Sequence, residues 1–293
     1  MDIEFLAAKA KWVRQTVMRM AYRANSGHLS TAFSQADLLV SLYYGGILHH
    51  NYKEPKWPGR DRFILSKGQG GIGLYPILAD VGYFPKDELL RFAQLGSILG
   101  VHAEWNIPGV EIITGSLGHG LPVAVGMALA AKQDNKNHNV FCMLGDGELY
   151  EGSNWEAMFS AAHHKLNNLV VIVDLNGGAT IGHLEKYGAN DGPNQNYIAE
   201  KFRSFGFAVQ AADGHDFRSI DDVLCDWRYQ CAYSPRCVIA HTIKGKGIKA
   251  MEDGSFFPTH YRLPKGDDLK AALKDLDMDE KEFKAEVGES VGY

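Results

Sequence analysis

Residues 139–178 read NVFCMLGDGELYEGSNWEAMFSAAHHKLNNLVVIVDLNGG, and the order of elements in this stretch decides the fold. Asn139 to Leu144 is a short apolar run, Asn154 to Lys165 has helical spacing, and Leu169 to Asp174 is almost wholly apolar. A run of the last kind suits a central strand of a parallel sheet covered on both faces. Strand, helix and strand with short links form a right-handed crossover, which sets the two strands side by side. Gly145-Asp146-Gly147-Glu148 closes the first strand and Asn176-Gly177-Gly178 closes the second. Asp146 and Asn176 are therefore expected to emerge together at the carboxyl edge, where open α/β sheets bind ligands. One carboxylate oxygen, one amide oxygen and a nearby backbone carbonyl suit Mg²⁺, which takes its remaining ligands from substrate phosphates. The glycines let a diphosphate approach backbone N–H groups. Taken singly, each motif is equally an ordinary turn at a strand end.

Outward from this unit the alternation continues. Leu6, Ala10, Val13, Val17, Met20 and Ala24 fall on one helical face. A break over Ala24–Ser30 precedes a second helix expected from Ser34, as N-cap, to Leu48. Arg62–Ser66 reads as a buried strand leading into Lys67–Gly73 and a further helix, and Leu121–Gln133 is Ala-rich and helical. Downstream come a helix near Asn196–Phe205, a strand at Phe207–Ala211, a helix near Phe217–Ala232 and a strand at Cys237–His241. The pattern predicts an α/β fold with a doubly wound, largely parallel sheet flanked by helices. One domain is expected over residues 1–264, followed by a charged helical tail over 265–293.

Composition narrows the function. Of 293 residues, 45% are hydrophobic and 22% charged, as in an ordinary soluble globular chain. The net charge of -5 lacks the basic excess of a nucleic-acid binder. The acidic start Met1-Asp2-Ile3-Glu4 does not read as a secretory signal, and no apolar run is long enough to span a membrane. The expectation is a cytoplasmic protein. Cys142, Cys225, Cys231 and Cys237 fit no zinc spacing and read as free thiols. Gly68, Gly70 and Gly73 satisfy a dinucleotide fingerprint after a strand, with Asp87 and Glu88 some way on. Those acids fall in an apparently helical Lys86–Phe92 segment, and 32 of the 293 residues are glycine, so the match is set aside as chance. His163 and His164 are adjacent on a helix, point apart, and read as structural.

Beyond these readings, the chain resembles the transketolase family of thiamine-diphosphate-dependent enzymes. The resemblance rests on the GDG with its downstream Asn176 and on the text between them. It extends to Ser26-Gly27-His28, Val101-His102-Ala103-Glu104, Thr114-Gly115-Ser116-Leu117-Gly118-His119-Gly120, His241-Thr242-Ile243-Lys244-Gly245-Lys246-Gly247, and His260 in Thr-His-Tyr. It implies that Asp146, Asn176 and the Gly178 carbonyl hold Mg²⁺ (or Ca²⁺ or Mn²⁺). Gly145, Gly147, Gln69 and His260 would then face the cofactor diphosphate, and Gly115 and Leu117 its two rings. His28, His102 and His260 would move protons and steady donor oxygens. One segment departs from the family: Ser66-Lys67-Gly68-Gln69-Gly70 stands where SxGHA is usual. Gln69 can donate a hydrogen bond but cannot carry a proton or positive charge, so a modified sugar donor or acceptor is expected.

The implied activity is transfer of a two-carbon ketol unit from a ketose to an aldose or aldehyde, with small sugars as substrates. In this family a glutamate of the pyrimidine-binding domain activates the cofactor. The chain reads as the diphosphate-binding half alone. Its implied partner is a pyrimidine-binding, C-terminal transketolase subunit, in an α2β2 assembly. Glu151 matches a family acid at the cofactor-linked interface and reads as structural or communicating. Two alternatives stay open: another thiamine-diphosphate carboligase or synthase acting on a 2-oxo acid, and a catalytically inactive regulatory subunit of the same fold.

Overall fold

Five strands pair in the order β1-β2-β3-β7-β6, every pair parallel: β1 (Arg62–Leu65), β2 (Val140–Gly145), β3 (Leu169–Leu175), β6 (Ala208–Asp213) and β7 (Arg236–His241). The computed structural model describes residues 1–179, 182–183, 196–225, 233–253 and 261–288. A two-residue ribbon, β4 (Gly178–Ala179) with β5 (Gly182–His183), follows β3. The runs at Asn139–Leu144 and Leu169–Asp174 form neighbouring interior strands, with Val140 opposite Leu169 and Gly145 opposite Asp174, while the strand expected to be buried at Arg62–Ser66 is the edge strand β1. All residues of β2 and β3 are buried.

Side chains of successive strand residues point to opposite faces, and each face is covered by helices. Phe141, Met143, Val170, Ile172 and Val238 join the larger core, built with α1 (Ile3–Ala24), α2 (Leu29–Ser34), α3 (Ala36–Tyr44), α4 (Gly71–Asp80) and α8 (Phe217–Cys225). Val140, Cys142, Leu144, Val171 and Val173 join the second core, with α5 (Gly120–Gln133), α6 (Gly152–His163) and α7 (Asn196–Ser204). Helices on both faces of a parallel sheet are the doubly wound arrangement expected.

Some expectations change. The helix predicted from Ser34 to Leu48 is two helices, α2 and α3, meeting at Gln35. Ser34 is not an N-cap but the last residue of α2; its hydroxyl donates to Asp174 at 2.7 Å. Gln35 instead sends its side-chain amide to the Gly70 carbonyl, 2.7 Å away. The Lys86–Phe92 segment is a 3₁₀ helix over Lys86–Arg91. Helix α8 ends at Cys225 among the described residues; the rest of the helix expected to Ala232, and Cys231 with it, lies outside them. Cys142, Cys225 and Cys237 are free thiols.

The dinucleotide fingerprint is not a dinucleotide turn. Gly68 and Gly70 lie in a 3₁₀ turn before α4, and a Cβ added at Gly68 would sit 1.5 Å from the Thr114 carbonyl oxygen. Its glycine is needed for close packing of two loops. The charged segment after Pro264 carries α10 (Asp267–Asp275) and α11 (Glu280–Val287), which follow the short α9 (Lys249–Glu252). Ala272, Leu273, Leu276 and Phe283 belong to the larger core, and the Phe283 ring meets Tyr22 of α1 edge-on at 5.2 Å. Among the described residues no helix is long and apolar enough to cross a membrane.

Candidate active site

The carboxyl edge of the sheet opens into a cavity of about 230 Å³. Its floor comes from the β2 and β3 ends. Asp146 accepts backbone N–H bonds from Gly147 (2.8 Å), Asn176 (2.9 Å) and Gly177 (2.6 Å), so one carboxylate ties the loop after β2 to the loop after β3. Asn176 in turn accepts the Gly178 N–H on Oδ1 at 3.1 Å and donates to Asp174 at 3.2 Å through Nδ2. That orientation turns the amide oxygen away from Asp174. Glu148, also buried, accepts from the Gly118 and Gly145 N–H groups at 2.9 and 3.1 Å and from the Ser66 hydroxyl. It thereby fixes the Thr114–Gly120 loop against the GDG turn.

Ten of the residues singled out from sequence line this one cavity: His28, Gln69, His102, Gly115, Leu117, Gly145, Asp146, Gly147, Asn176 and Gly178. His260 lies outside the described residues. The His28 and His102 rings stand 5.8 Å apart between centroids, and Tyr261 packs edge-on against His28 at 4.6 Å. Burial holds the His102 imidazole below its ordinary pKa, with Glu104 acting weakly the other way, which favours the neutral ring. Glu151 starts α6 beside Gly118 and is not among the lining residues.

Sequence reading missed two lysines. Lys67 and Lys244 both line the cavity. Lys67 forms an ion pair with Asp174, and both side chains are almost fully buried (1% and 0% exposed). Asp174 also accepts from the Ser34 and Thr242 hydroxyls. Burial, the largest influence, would raise its pKa, but the Lys67 charge together with the hydrogen bonds from Lys67, Thr242 and Ser34 outweighs it and keeps the carboxylate ionised. Lys244 donates to the Gly178 carbonyl at 2.7 Å, and burial pulls its ammonium down to about 8. Asp146 is pushed up to about 6, chiefly by burial and then by the nearby Asp174 charge. Such a carboxylate gains from a cation beside it. Both lysines stand in segments compared with the family, Lys244 in the His241–Gly247 run and Lys67 in the departing Ser66–Gly70 run, but their residue types alone assign them no role.

Residues at this edge fit a divalent cation of the hard, oxygen-loving class. The Gly178 carbonyl already holds a cationic group, the Lys244 ammonium, and Asp146 and Asn176 add a carboxylate and an amide oxygen beside it. Among the described residues there is no cluster of three His, Cys, Asp or Glu side chains that could hold a metal. The available set is thus a partial oxygen shell of the kind phosphate oxygens complete. The ammonium groups of Lys67 and Lys244 add positive charge at the cavity wall, which suits an anionic phosphate ligand.

A parallel α/β sheet whose carboxyl edge offers oxygen ligands, buried lysines and a glycine turn defines a diphosphate-binding domain. Residues 7–290 match the family model "Transketolase, thiamine diphosphate binding domain". An apulose-4-phosphate transketolase subunit of Actinobacillus succinogenes is 40% identical over 275 residues, covering 92% of this chain and 95% of that protein. The 6-deoxy-6-sulfo-D-fructose transketolase subunit SqwG of a Clostridium species is 31% identical, covering 94% and 97%. The crystal structure of transketolase from Campylobacter jejuni superimposes with a TM-score of 0.86 at 32% identity, covering 99% of this chain and 46% of that one. The chain belongs to the transketolase family, a family of transferases, and spans less than half the length of the solved transketolase it matches.

Proposed function

We propose that this chain is the diphosphate-binding subunit of a heteromeric transketolase that uses thiamine diphosphate and a divalent metal. The observation that carries the reading is the joining of the β2 and β3 loops through Asp146, at the floor of a cavity lined by every described residue that the resemblance assigns to cofactor, metal or catalysis. Asp146, Asn176 and the Gly178 carbonyl would hold the metal; Gly145, Gly147, Lys67, Lys244 and Gln69 would face the diphosphate, and Gly115 and Leu117 the rings. When bound, thiamine diphosphate supplies the nucleophilic carbon and the electron sink of the transfer.

The chain's own residues then bind and orient the sugar and move protons. His28 and His102, whose rings are neighbours in the cavity lining, would hold donor oxygens, and the neutral imidazole of His102 could accept a proton. His260 is the third histidine of the proposal. Gln69 offers an amide where the family has an ionisable ring, which favours a donor or acceptor other than the ordinary sugar phosphates. Relatives named for apulose 4-phosphate and 6-deoxy-6-sulfo-D-fructose support that direction, with a modified ketose as donor.

A partner bearing the pyrimidine-binding domain completes the proposal, in an α2β2 assembly in the cytoplasm. Two relatives covered over nearly their whole length carry the word subunit in their names. Val123 on α5, Tyr150 in the 3₁₀ turn after β2 and Phe159 on α6 expose apolar side chains, as a surface to be covered would. Calorimetric titration of thiamine diphosphate with Mg²⁺ into the chain, alone and with the co-expressed partner, tests the reading. Binding that needs the metal and is lost in Asp146→Ala is expected. Binding indifferent to Mg²⁺ and to that substitution would overturn it.

A further inference from the structure

The loop after β7 carries Lys244 into the cavity; the backbone N–H groups of Thr242, Ile243 and Gly245 tie it to neighbouring segments, as does the Thr242 hydroxyl, which donates to Asp174. Thr242 N–H donates to the Leu175 carbonyl (3.0 Å), Gly245 N–H to the Ser30 carbonyl (2.9 Å), and Ile243 N–H to Nε2 of His215 (2.8 Å). The first two acceptors are main chain; the third is a side chain from the loop after β6. The other ring nitrogen of His215 lies 2.7 Å from Asp37 of α3, which Arg14 of α1 grips through both terminal nitrogens at 3.1 and 2.5 Å. Asp213, at the end of β6, takes the His215 backbone N–H at 2.9 Å.

These contacts fix the tautomer. A backbone N–H can only donate, so Nε2 of His215 must be the acceptor, and in the neutral ring Nδ1 carries the hydrogen and donates to Asp37. Both ring nitrogens are thus occupied, and His215 is not among the residues lining the cavity. The Asp37–His215 pair therefore has no free basic nitrogen to offer a substrate, despite its likeness to a catalytic dyad. Its geometry serves the neighbouring loop. A chain of contacts runs from Arg14 through Asp37, His215 and the Ile243 amide to Lys244, whose ammonium ends on the Gly178 carbonyl.

We propose that His215 is a positioning residue for Lys244: its Nε2 lone pair pins Ile243 and so directs the next side chain into the cofactor cavity. The proposal rests on the reading of that cavity as a diphosphate site for its functional meaning, but not for its test. Gln places an amide oxygen near the position of Nε2, whereas Asn places an amide nitrogen near that of Nδ1. His215→Gln keeps an acceptor for Ile243; His215→Asn keeps a donor for Asp37 and loses that acceptor. Pulse acetylation of the full chain, read by peptide mass spectrometry, reports Lys244 reactivity relative to exposed Lys53.

Expected is a roughly three- to tenfold rise at Lys244 in His215→Asn, the factor that losing one partly solvated hydrogen bond produces, and a value near wild type in His215→Gln. Affinity for thiamine diphosphate with Mg²⁺ should fall by about the same factor in the Asn variant only. Equal reactivity of Lys244 in all three proteins, or an equal rise in both variants, overturns the proposal. If wild type binds no thiamine diphosphate, the functional reading fails while the acetylation pattern still decides the positioning. Should His215→Asn not fold, the ¹⁵N shifts of the wild-type ring decide: a bare Nε2 with protonated Nδ1 supports the role, and the opposite tautomer overturns it.

Discussion

Replacing Lys67 by Met keeps the length of the side chain and removes its charge, so packing is largely preserved and the effect isolates the ion pair with Asp174. Both partners are shut off from solvent. After the change Asp174 retains the Ser34 hydroxyl, the Thr242 hydroxyl and the Asn176 amide, but no countercharge. Removing one partner of a buried pair costs about 3–5 kcal/mol, because the other charge stays desolvated. Three surviving hydrogen bonds, together with water admitted from the cavity, place the expected loss at the lower end, about 3 kcal/mol. Urea unfolding of Lys67→Met, Asp174→Asn and the double variant measures it. The double variant should be more stable than the sum of the two losses by about 2 kcal/mol, since no lone buried charge remains. A loss below about 1 kcal/mol in Lys67→Met, or simple additivity in the double variant, would refute the reasoning.

Gly178→Ala puts a Cβ 2.5 Å from Cδ of Lys244, whose ammonium is held on the Gly178 carbonyl, so that side chain must shift; stability should fall by about 1–2 kcal/mol while thiamine diphosphate affinity with Mg²⁺ falls about tenfold, and unchanged affinity in calorimetry would count against Lys244 at the site. For Asp80, burial alone would raise the pKa, but hydrogen bonds from Lys86, Lys9 and Tyr44 outweigh it and bring the carboxyl down to about 2. A folded-state pKa below the unfolded one gives stability that is present above about pH 4 and lost as pH falls toward 2. Asp80→Asn should therefore cost ~1 kcal/mol at pH 7, allowing for solvent screening, and nothing near pH 2; an acid titration of the difference in unfolding free energy checks this. With its partner present, Gln69→His should raise kcat/KM on xylulose 5-phosphate about tenfold; no change in steady-state assays would remove Gln69 from the basis of specificity.

Much of this site was legible because its chemistry sits at strand ends. The buried runs of β2 and β3 mark neighbouring parallel strands, and parallel pairing alone carries Asp146 to the Asn176 amide. The motif text did the same for His28, His102, Gly115 and Leu117, which come from loops that periodicity cannot place. What stayed hidden are partnerships across the chain. Nothing in the letters around Lys67 separates a buried lysine from a solvated one; its burial follows from Asp174, whose apolar strand context gives no hint of an ion pair. His215 is similar: its role depends on Asp37 and Ile243, which the strand order, not the sequence order, brings together. The break at Gln35 was missed because the apolar residues of α2 and α3 give no local stop signal. At the turn, the Gln35 side-chain amide donates a hydrogen bond to the Gly70 carbonyl, a partner that only the fold supplies.

The pairing of β2 with β3 also bears on how the chain reaches its native state. In the central sheet no two strands are joined by a hairpin, and Arg62 must find Val140, and Val170 must find Arg236, across long intervening segments. Val140 meets Leu169 across one helix, so this loop is among the cheapest in closure entropy. A folding chain that zips this crossover first brings Asp146 onto the Asn176 and Gly177 amides in the same event. The floor of the cavity is then assembled with the nucleus of the sheet, and the slower, long-range pairings add only its walls.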